Sequence, residues 1–129
     1  MKVVLGIGCD RGTPLQTLED AIDSALNSVE LNRQAVHQLA TIDKKNDEQA
    51  ILQLSAKYHW PLSFYPAEQL AQVKVPSPSA VVLKYMGTPS VSEAAAILAA
   101  DTDMSKLIVE KFKLRGADGK NATVSIARK

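Results

Sequence analysis

Val3-Val4-Leu5-Gly6-Ile7-Gly8 is an apolar run that empties into Cys9-Asp10-Arg11-Gly12-Thr13-Pro14, and its reading decides the fold. Val3, Val4, Leu5 and Ile7 show no polar alternation. That is the pattern of a strand covered on both faces, and therefore central in an α/β sheet. An amphipathic helix follows at once, because Leu15, Leu18, Ile22, Ala25, Leu26 and Val29 recur at three- and four-residue steps. Thr13 is expected to cap this helix, Pro14 to take its first position and Gln16 to complete a capping box. Gly-Thr-Pro recurs at Gly87-Thr88-Pro89 and reads as a second helix start. Two helix N-termini, each favourable to anions, are thus expected in one small domain.

Working outward, residues 35–42 read as a second strand, closed by the charged stretch Asp43-Lys44-Lys45-Asn46-Asp47. The next helix carries Ile51, Leu54, Ser55 and Tyr58 on one face, with Asn46 or Asp47 as its cap and Trp60-Pro61 as its end. Residues 62–65 give a short third strand and 67–72 a short helix. Pro76 and Pro78 stiffen the connection to a helix bearing Val81, Val82, Tyr85 and Met86, capped by Ser77 or Ser79 and stopped by Gly87. Val91, Ala94, Ala95 and Leu98 form the inner face of a further helix, for which Ser90 and Glu93 are an alternative capping box. Residues 107–114 and 122–128, separated by Gly116-Ala117-Asp118-Gly119-Lys120-Asn121, read as a β-hairpin. In its second strand Ala122, Val124 and Ile126 alternate with Thr123, Ser125 and Ala127. The fold class is α/β, a parallel βαβ core with a C-terminal antiparallel hairpin, in a single domain over residues 1–129.

A chain of 129 residues has the size of one domain and buries roughly two-thirds of the surface its unfolded form exposes. Apolar residues at 46% and charged residues at 22% match ordinary globular domains and exclude disorder or a fibrous repeat. A net charge of +1, aromatics of only 5% and scattered basic residues argue against a nucleic-acid partner. The apolar runs fall short of the roughly 20 residues that cross a bilayer, so neither a membrane span nor a signal peptide is expected. Cys9 is the single cysteine, which leaves no internal disulfide or cysteine metal cluster and fits a cytoplasmic protein.

Gly6, Gly8 and Gly12 invite a dinucleotide reading, but that fingerprint needs its third glycine where Arg11 stands. Its acidic partner should also follow after about 20 residues, whereas Asp43 comes after about 30. No Gly-Lys-Ser/Thr makes a Walker loop, and no cofactor is expected. In open α/β sheets ligands gather at the carboxyl ends of the strands, where residues 10–13, 43–45 and 88–92 are expected to meet. Arg11, Lys44 and Lys45 would supply cations there, and Thr13, Thr88, Ser90 and Ser92 hydroxyls, a rim suited to a ligand with several carboxylates. Asp10, Asp43 and Glu93 are the carboxylates to nominate for general-base work; the plainer roles are loop solvation for the first two and helix capping for Glu93. Cys9 reads as an inert thiol and His37 and His59 as structural, with no metal site. Lys106, Lys111, Lys113 and Arg115 read as a solvated strand edge.

Four ordered blocks carry a family resemblance: Gly6-Ile7-Gly8-Cys9-Asp10-Arg11-Gly12-Thr13, then Leu39-Ala40-Thr41-Ile42-Asp43-Lys44-Lys45 with Asp47-Glu48, then Phe64-Tyr65-Pro66-Ala67-Glu68-Gln69-Leu70, then Gly87-Thr88-Pro89-Ser90-Val91-Ser92-Glu93-Ala94-Ala95-Ala96. They resemble the C-terminal domain of the cobalamin-biosynthesis protein CbiG, which also exists as the small stand-alone CobE. The resemblance implies a three-layer α/β/α domain with a mixed sheet and a role in building the corrin ring. It implies, as partner, a precorrin or cobalt-precorrin intermediate that the chain binds or hands on, and other corrin-biosynthesis enzymes. Gly8, Arg11, Gly12, Thr13, Asp43, Lys44, Gly87, Thr88, Ser90 and Glu93 are the expected ligand-binding residues. Full-length CbiG is associated with opening the ring-A lactone of cobalt-precorrin-5A with release of acetaldehyde. The chain has no counterpart of the N-terminal and central parts of CbiG, so binding, not hydrolysis, is the expectation for it alone. The alternatives are a cobalt-precorrin-5A hydrolase, or a subunit of one, with Asp10, Asp43 or Glu93 as base, and a non-catalytic module for corrin methyltransferases.

Overall fold

The apolar run at residues 3–7 is buried throughout and forms the middle of the sheet. The computed structural model describes residues 1–76 and 78–129. Strands β1 (Val3–Cys9), β2 (Val36–Ile42), β3 (Leu62–Tyr65), β4 (Leu107–Arg115) and β5 (Asn121–Arg128) lie in the order β3-β2-β1-β5-β4. β1, β2 and β3 run parallel, while β5 is antiparallel to both β1 and β4. The expected hairpin therefore docks its second strand directly on β1, pairing Leu5 with Ile126 and Gly8 with Thr123.

Period-two alternation sends the side chains of β1 to two different cores. Val3, Leu5 and Ile7 point toward α1 (Leu15–Ser28) and α2 (Gln49–Tyr58), where Leu18, Ile22, Leu26, Ile51 and Leu54 close a core of large aliphatics. Val4 points the other way, with Ala40, Ile42 and Ala127, toward α3 (Ala67–Leu70) and α5 (Ser92–Ala99). That makes three layers, α/β/α. The second face is packed with small residues, Ala94, Ala95 and Ala96 among them. Gly6 lies under α5, and a Cβ added there would stand 1.8 Å from the Ser92 carbonyl oxygen. Helix backbone rests on strand backbone at this point, which only glycine permits. Gly6 thus serves helix-on-sheet packing.

Several helix starts differ from the expected ones. Pro14, with φ −64° and ψ 148°, is the extended N-cap of α1, one position before the helix proper, and no side chain caps it. Thr13 instead closes a turn, its hydroxyl donating to the Asp10 carbonyl at 2.7 Å, and Gln16 reaches Asp20 at 2.8 Å. Glu48, not Asn46 or Asp47, holds the N-cap position of α2, and its carboxylate is drawn elsewhere. Ser79 caps α4 (Ala80–Met86) by accepting from Val82 N–H at 3.2 Å, whereas Ser77 lies outside the described residues. Gly87, at φ 79°, ends α4, so the second Gly-Thr-Pro is a helix stop followed by a connection. α5 begins only at Ser92, because Thr88 is buried in a turn with Ser90 and cannot cap it. Among the described residues no helix is long and apolar enough to cross a membrane.

Candidate ligand cleft

Three loops meet at the carboxyl ends of β1 and β2, and a buried carboxylate holds two of them together. Glu48 accepts the Gly12 N–H at 3.0 Å through Oε2, while its Oε1 faces Arg11 at 3.3 Å and Lys45 at 3.6 Å. Arg11 also pairs with Asp47 at 2.8 Å and donates to the Lys44 carbonyl at 3.3 Å. Asp47 holds the Arg11 guanidinium above its ordinary value, and Arg11 in turn holds the Asp47 carboxyl below its own. The hairpin adds two ties, since Asn121 donates to the Asp10 carboxylate at 2.8 Å and Lys120 to the Arg11 carbonyl at 3.0 Å.

Beside this clamp a cleft of about 700 Å³ opens at the end of β1. Its floor is Gly8, Cys9 and Asp10, with Thr123 and Asn121 from β5. One wall is apolar, made by Val81, Val82, Tyr85 and Met86 of α4 together with Val91. Opposite stand Lys111 and Lys113 of β4, with Lys45, Pro78, Ser79 and Ser92 completing the lining. Val81, Leu83 and Tyr85 are 66%, 50% and 70% exposed, so α4 presents large apolar side chains to solvent and only Val82 and Met86 are half-buried. Burial pushes the Cys9 thiol up to about 11, so it lines the cleft as a neutral thiol at physiological pH.

The expected site residues divide. Gly8 and Asp10 line the cleft. Arg11, Gly12 and Lys44 belong to the clamp beside it, and Asp43 is exposed at the start of the 43–45 turn. Thr13, Thr88, Ser90 and Glu93 are buried: Thr13 in its turn, the other three in a knot under the start of α5, where Ser90 donates to Glu93 at 3.2 Å. Gly87 is the left-handed C-cap of α4, outside the cleft lining. Lys111 corrects the solvated-edge reading, because it turns inward to within 3.8 Å of the fully buried Glu93. Lys111 and Lys113 share the α5-facing side of β4, while Phe112 between them packs on the opposite core. Alternation over Lys111-Phe112-Lys113-Leu114 was the available signal for that pair; nothing local marks Lys45 as the buried member of its turn. Among the described residues no cluster of three or more His, Cys, Asp or Glu is arranged to hold a metal.

The fold and the cleft together define a class, the mixed-sheet α/β/α domain with a cleft at the carboxyl end of its central strand. The chain belongs to the Cobalamin synthesis G C-terminus family, whose profile matches residues 3–127. It is 33% identical over 125 residues to a cobalt-precorrin-5A hydrolase of Priestia megaterium, covering 97% of this chain and 32% of that protein. It is 32% identical over 112 residues to Protein CobE of a Sinorhizobium species, covering 85% of this chain and 72% of that one. A crystal structure of CobE, a protein from the cobalamin (vitamin B12) biosynthetic pathway, matches with a TM-score of 0.84 at 31% identity over 99% of this chain and 90% of the other. The chain thus spans about a third of the length of the hydrolase relative and most of the CobE relatives.

Proposed function

We propose that the chain binds a corrin-ring precursor in the cleft at the end of β1 and hands it on within cobalamin biosynthesis. The observation that carries this reading is the pairing of walls: the apolar side chains of α4 and the lysines Lys111 and Lys113 of β4 line one cleft, to which Lys45 adds a third cation. A corrin precursor is an apolar macrocycle edged with acetate and propionate arms, so one wall suits the ring and the other its carboxylates. A volume of about 700 Å³ falls within the range of about 300–1,000 Å³ typical of small-molecule sites. It suits one edge of a macrocycle better than complete enclosure. Handing on requires that part of the ligand remain accessible to the next enzyme.

The test is an absorption titration with a corrin whose peripheral carboxylates are free, alongside one whose carboxylates are amidated. The free acid is expected to shift its spectrum on mixing and the amide to bind more weakly. An unchanged spectrum at high micromolar free acid would overturn the reading.

A second reading is favoured by one further observation, that Asp10 lines the cleft in a chain related to proteins named cobalt-precorrin-5A hydrolase. In it, Asp10 is the base for lactone opening. Of the three nominated carboxylates it is the one on the cleft surface, Glu93 being buried and Asp43 outside the lining. Acetaldehyde release from cobalt-precorrin-5A by the chain alone, abolished by Asp10→Asn, is the expected outcome; no release sinks it.

A further inference from the structure

Lys44 and Lys45 are neighbours sent in different directions by one tight turn. Lys45 is buried and lines the cleft near Glu48. Lys44 is exposed, and its ammonium donates to the carbonyl of Met86, the last residue of α4, at 3.1 Å. Its own carbonyl is gripped by Arg11, so the lysine extends from the clamp across to the helix that walls the cleft.

α4 depends on such ties. None of its residues is buried, and it meets the core beneath it through the partly buried Val82 and Met86. Seven residues are too few to be helical alone, so docking must hold the helix in shape. Its N-terminal end is fixed by a backbone bond, Ser79 N–H to the Pro89 carbonyl at 2.8 Å. Its C-terminal end turns on Gly87, at φ 79°, with Gly87 N–H bonded to the Leu83 carbonyl at 3.0 Å. The last carbonyls of a helix lack intrahelical partners and carry the negative end of its dipole, which makes a lysine ammonium there a favourable cap.

Resting on the reading of this cleft as the ligand site, we infer that Lys44 is a positioning residue, a latch that holds the C-terminal end of α4 and so sets the apolar wall formed by Val82, Tyr85 and Met86. The route runs from Arg11 through the Lys44 backbone to Met86. Arg11 and Lys44 then act on binding without lining the cleft. Releasing the latch frees the Gly87 end of α4 to swing while the Ser79 end stays tied, and a bound ring escapes faster.

The experiment compares wild type, Lys44→Gln and Lys44→Arg in the full chain, by amide hydrogen exchange and by stopped-flow dissociation of the free-acid corrin. In Lys44→Gln, exchange at the Met86 and Gly87 amides is expected to accelerate about 3–10-fold, with Leu5 and Ile22 unchanged, and the corrin off-rate to rise by a similar factor. Lys44→Arg, which keeps a donor and its charge, should restore both. Unchanged exchange in α4, acceleration shared equally by β1 and α1, an off-rate that does not follow, or equal effects of Gln and Arg would each overturn the latch. If wild type binds no corrin while α4 exchange responds as expected, the latch stands and the corrin reading of the cleft falls.

Discussion

The two faces of the sheet are built from side chains of different size. Toward α1 and α2, Val3, Leu5, Ile7, Leu39, Val124 and Ile126 meet Leu18, Ile22, Leu26, Ile51 and Leu54, a core of large aliphatics. Toward α5, Val4 and Ala40 meet Ala94, Ala95 and Ala96, and Gly6 lets the helix backbone lie almost against the strand. The rims differ as well. Beyond the first face, Glu19 accepts from Tyr58 and from Lys57 at 2.7 Å, while Tyr58 stacks on Trp60 at 4.7 Å. Beyond the second, α5 begins only at Ser92, and a short helix without a buried residue shares a cleft with three lysines. Large-on-large packing fills its space and supplies stability; small-on-small packing brings backbones together and leaves room past the end of the helix. One face is filled and the other leaves an open cleft.

Leu18→Ala is the strongest test of that contrast, because it empties the filled face. A loss of about 2–5 kcal/mol is expected from chemical denaturation, with the corrin affinity of the remaining folded protein unchanged. Gly6→Ala follows at about 1–3 kcal/mol, since a Cβ there stands 1.8 Å from the Ser92 carbonyl oxygen and α5 must lift. Unlike Leu18→Ala it should also weaken ligand binding, because Val91 and Ser92 line the cleft; a stable variant with native affinity would break the assignment of the second face. Lys113→Gln should leave the melting temperature in place and reduce free-acid corrin affinity about tenfold, on the order of 1.4 kcal/mol and less at high salt. An affinity independent of both this substitution and salt would remove the cationic wall from the binding account.

Two smaller effects come from titration. Hydrogen bonds from Lys57 and Tyr58 hold the Glu19 carboxyl below its ordinary 4.5, so its stabilising contribution is fully present above that value and is lost as pH falls through the depressed one. Glu19→Gln should therefore flatten that part of the acid limb of a stability-against-pH curve and leave the cleft untouched. Cys9, with its thiol pushed up to about 11, should alkylate at pH 8 about a hundredfold more slowly than a thiol at 9.0. Alkylation at the rate of an exposed cysteine would show that the cleft floor is wetter than its geometry implies.

The strands and the order of elements were legible because their signal is local. The unbroken run of β1, the 62–65 strand and the alternation of residues 122–127 all describe how a segment meets the surfaces above and below it. The caps were less legible. Thr13, Gln16 and Asn46 are good capping residues, yet each backbone path delivers the helix start a residue or more away, and a hydroxyl in a turn bonds the turn. The meeting of the 10–13, 43–45 and 88–92 stretches followed from their places at the carboxyl ends of strands, but the roles within it did not. Arg11 looks like a ligand donor until Glu48, 37 positions along the chain, turns out to be buried beside it.

From the amino-acid order alone come the central strand, the alternating layers, the hairpin and the four blocks of the cobalamin-biosynthesis family, because hydrophobic period and ordered motifs are properties of neighbours in sequence. Only the tertiary structure decided that Gly6 serves close packing, that Arg11 and Glu48 clamp loops, and that α4 opposes Lys111 and Lys113 across a cleft. The physical reason is range. A charge or an apolar face takes its role from what stands within a few ångströms of it, and those partners arrive from strands and turns far away along the chain.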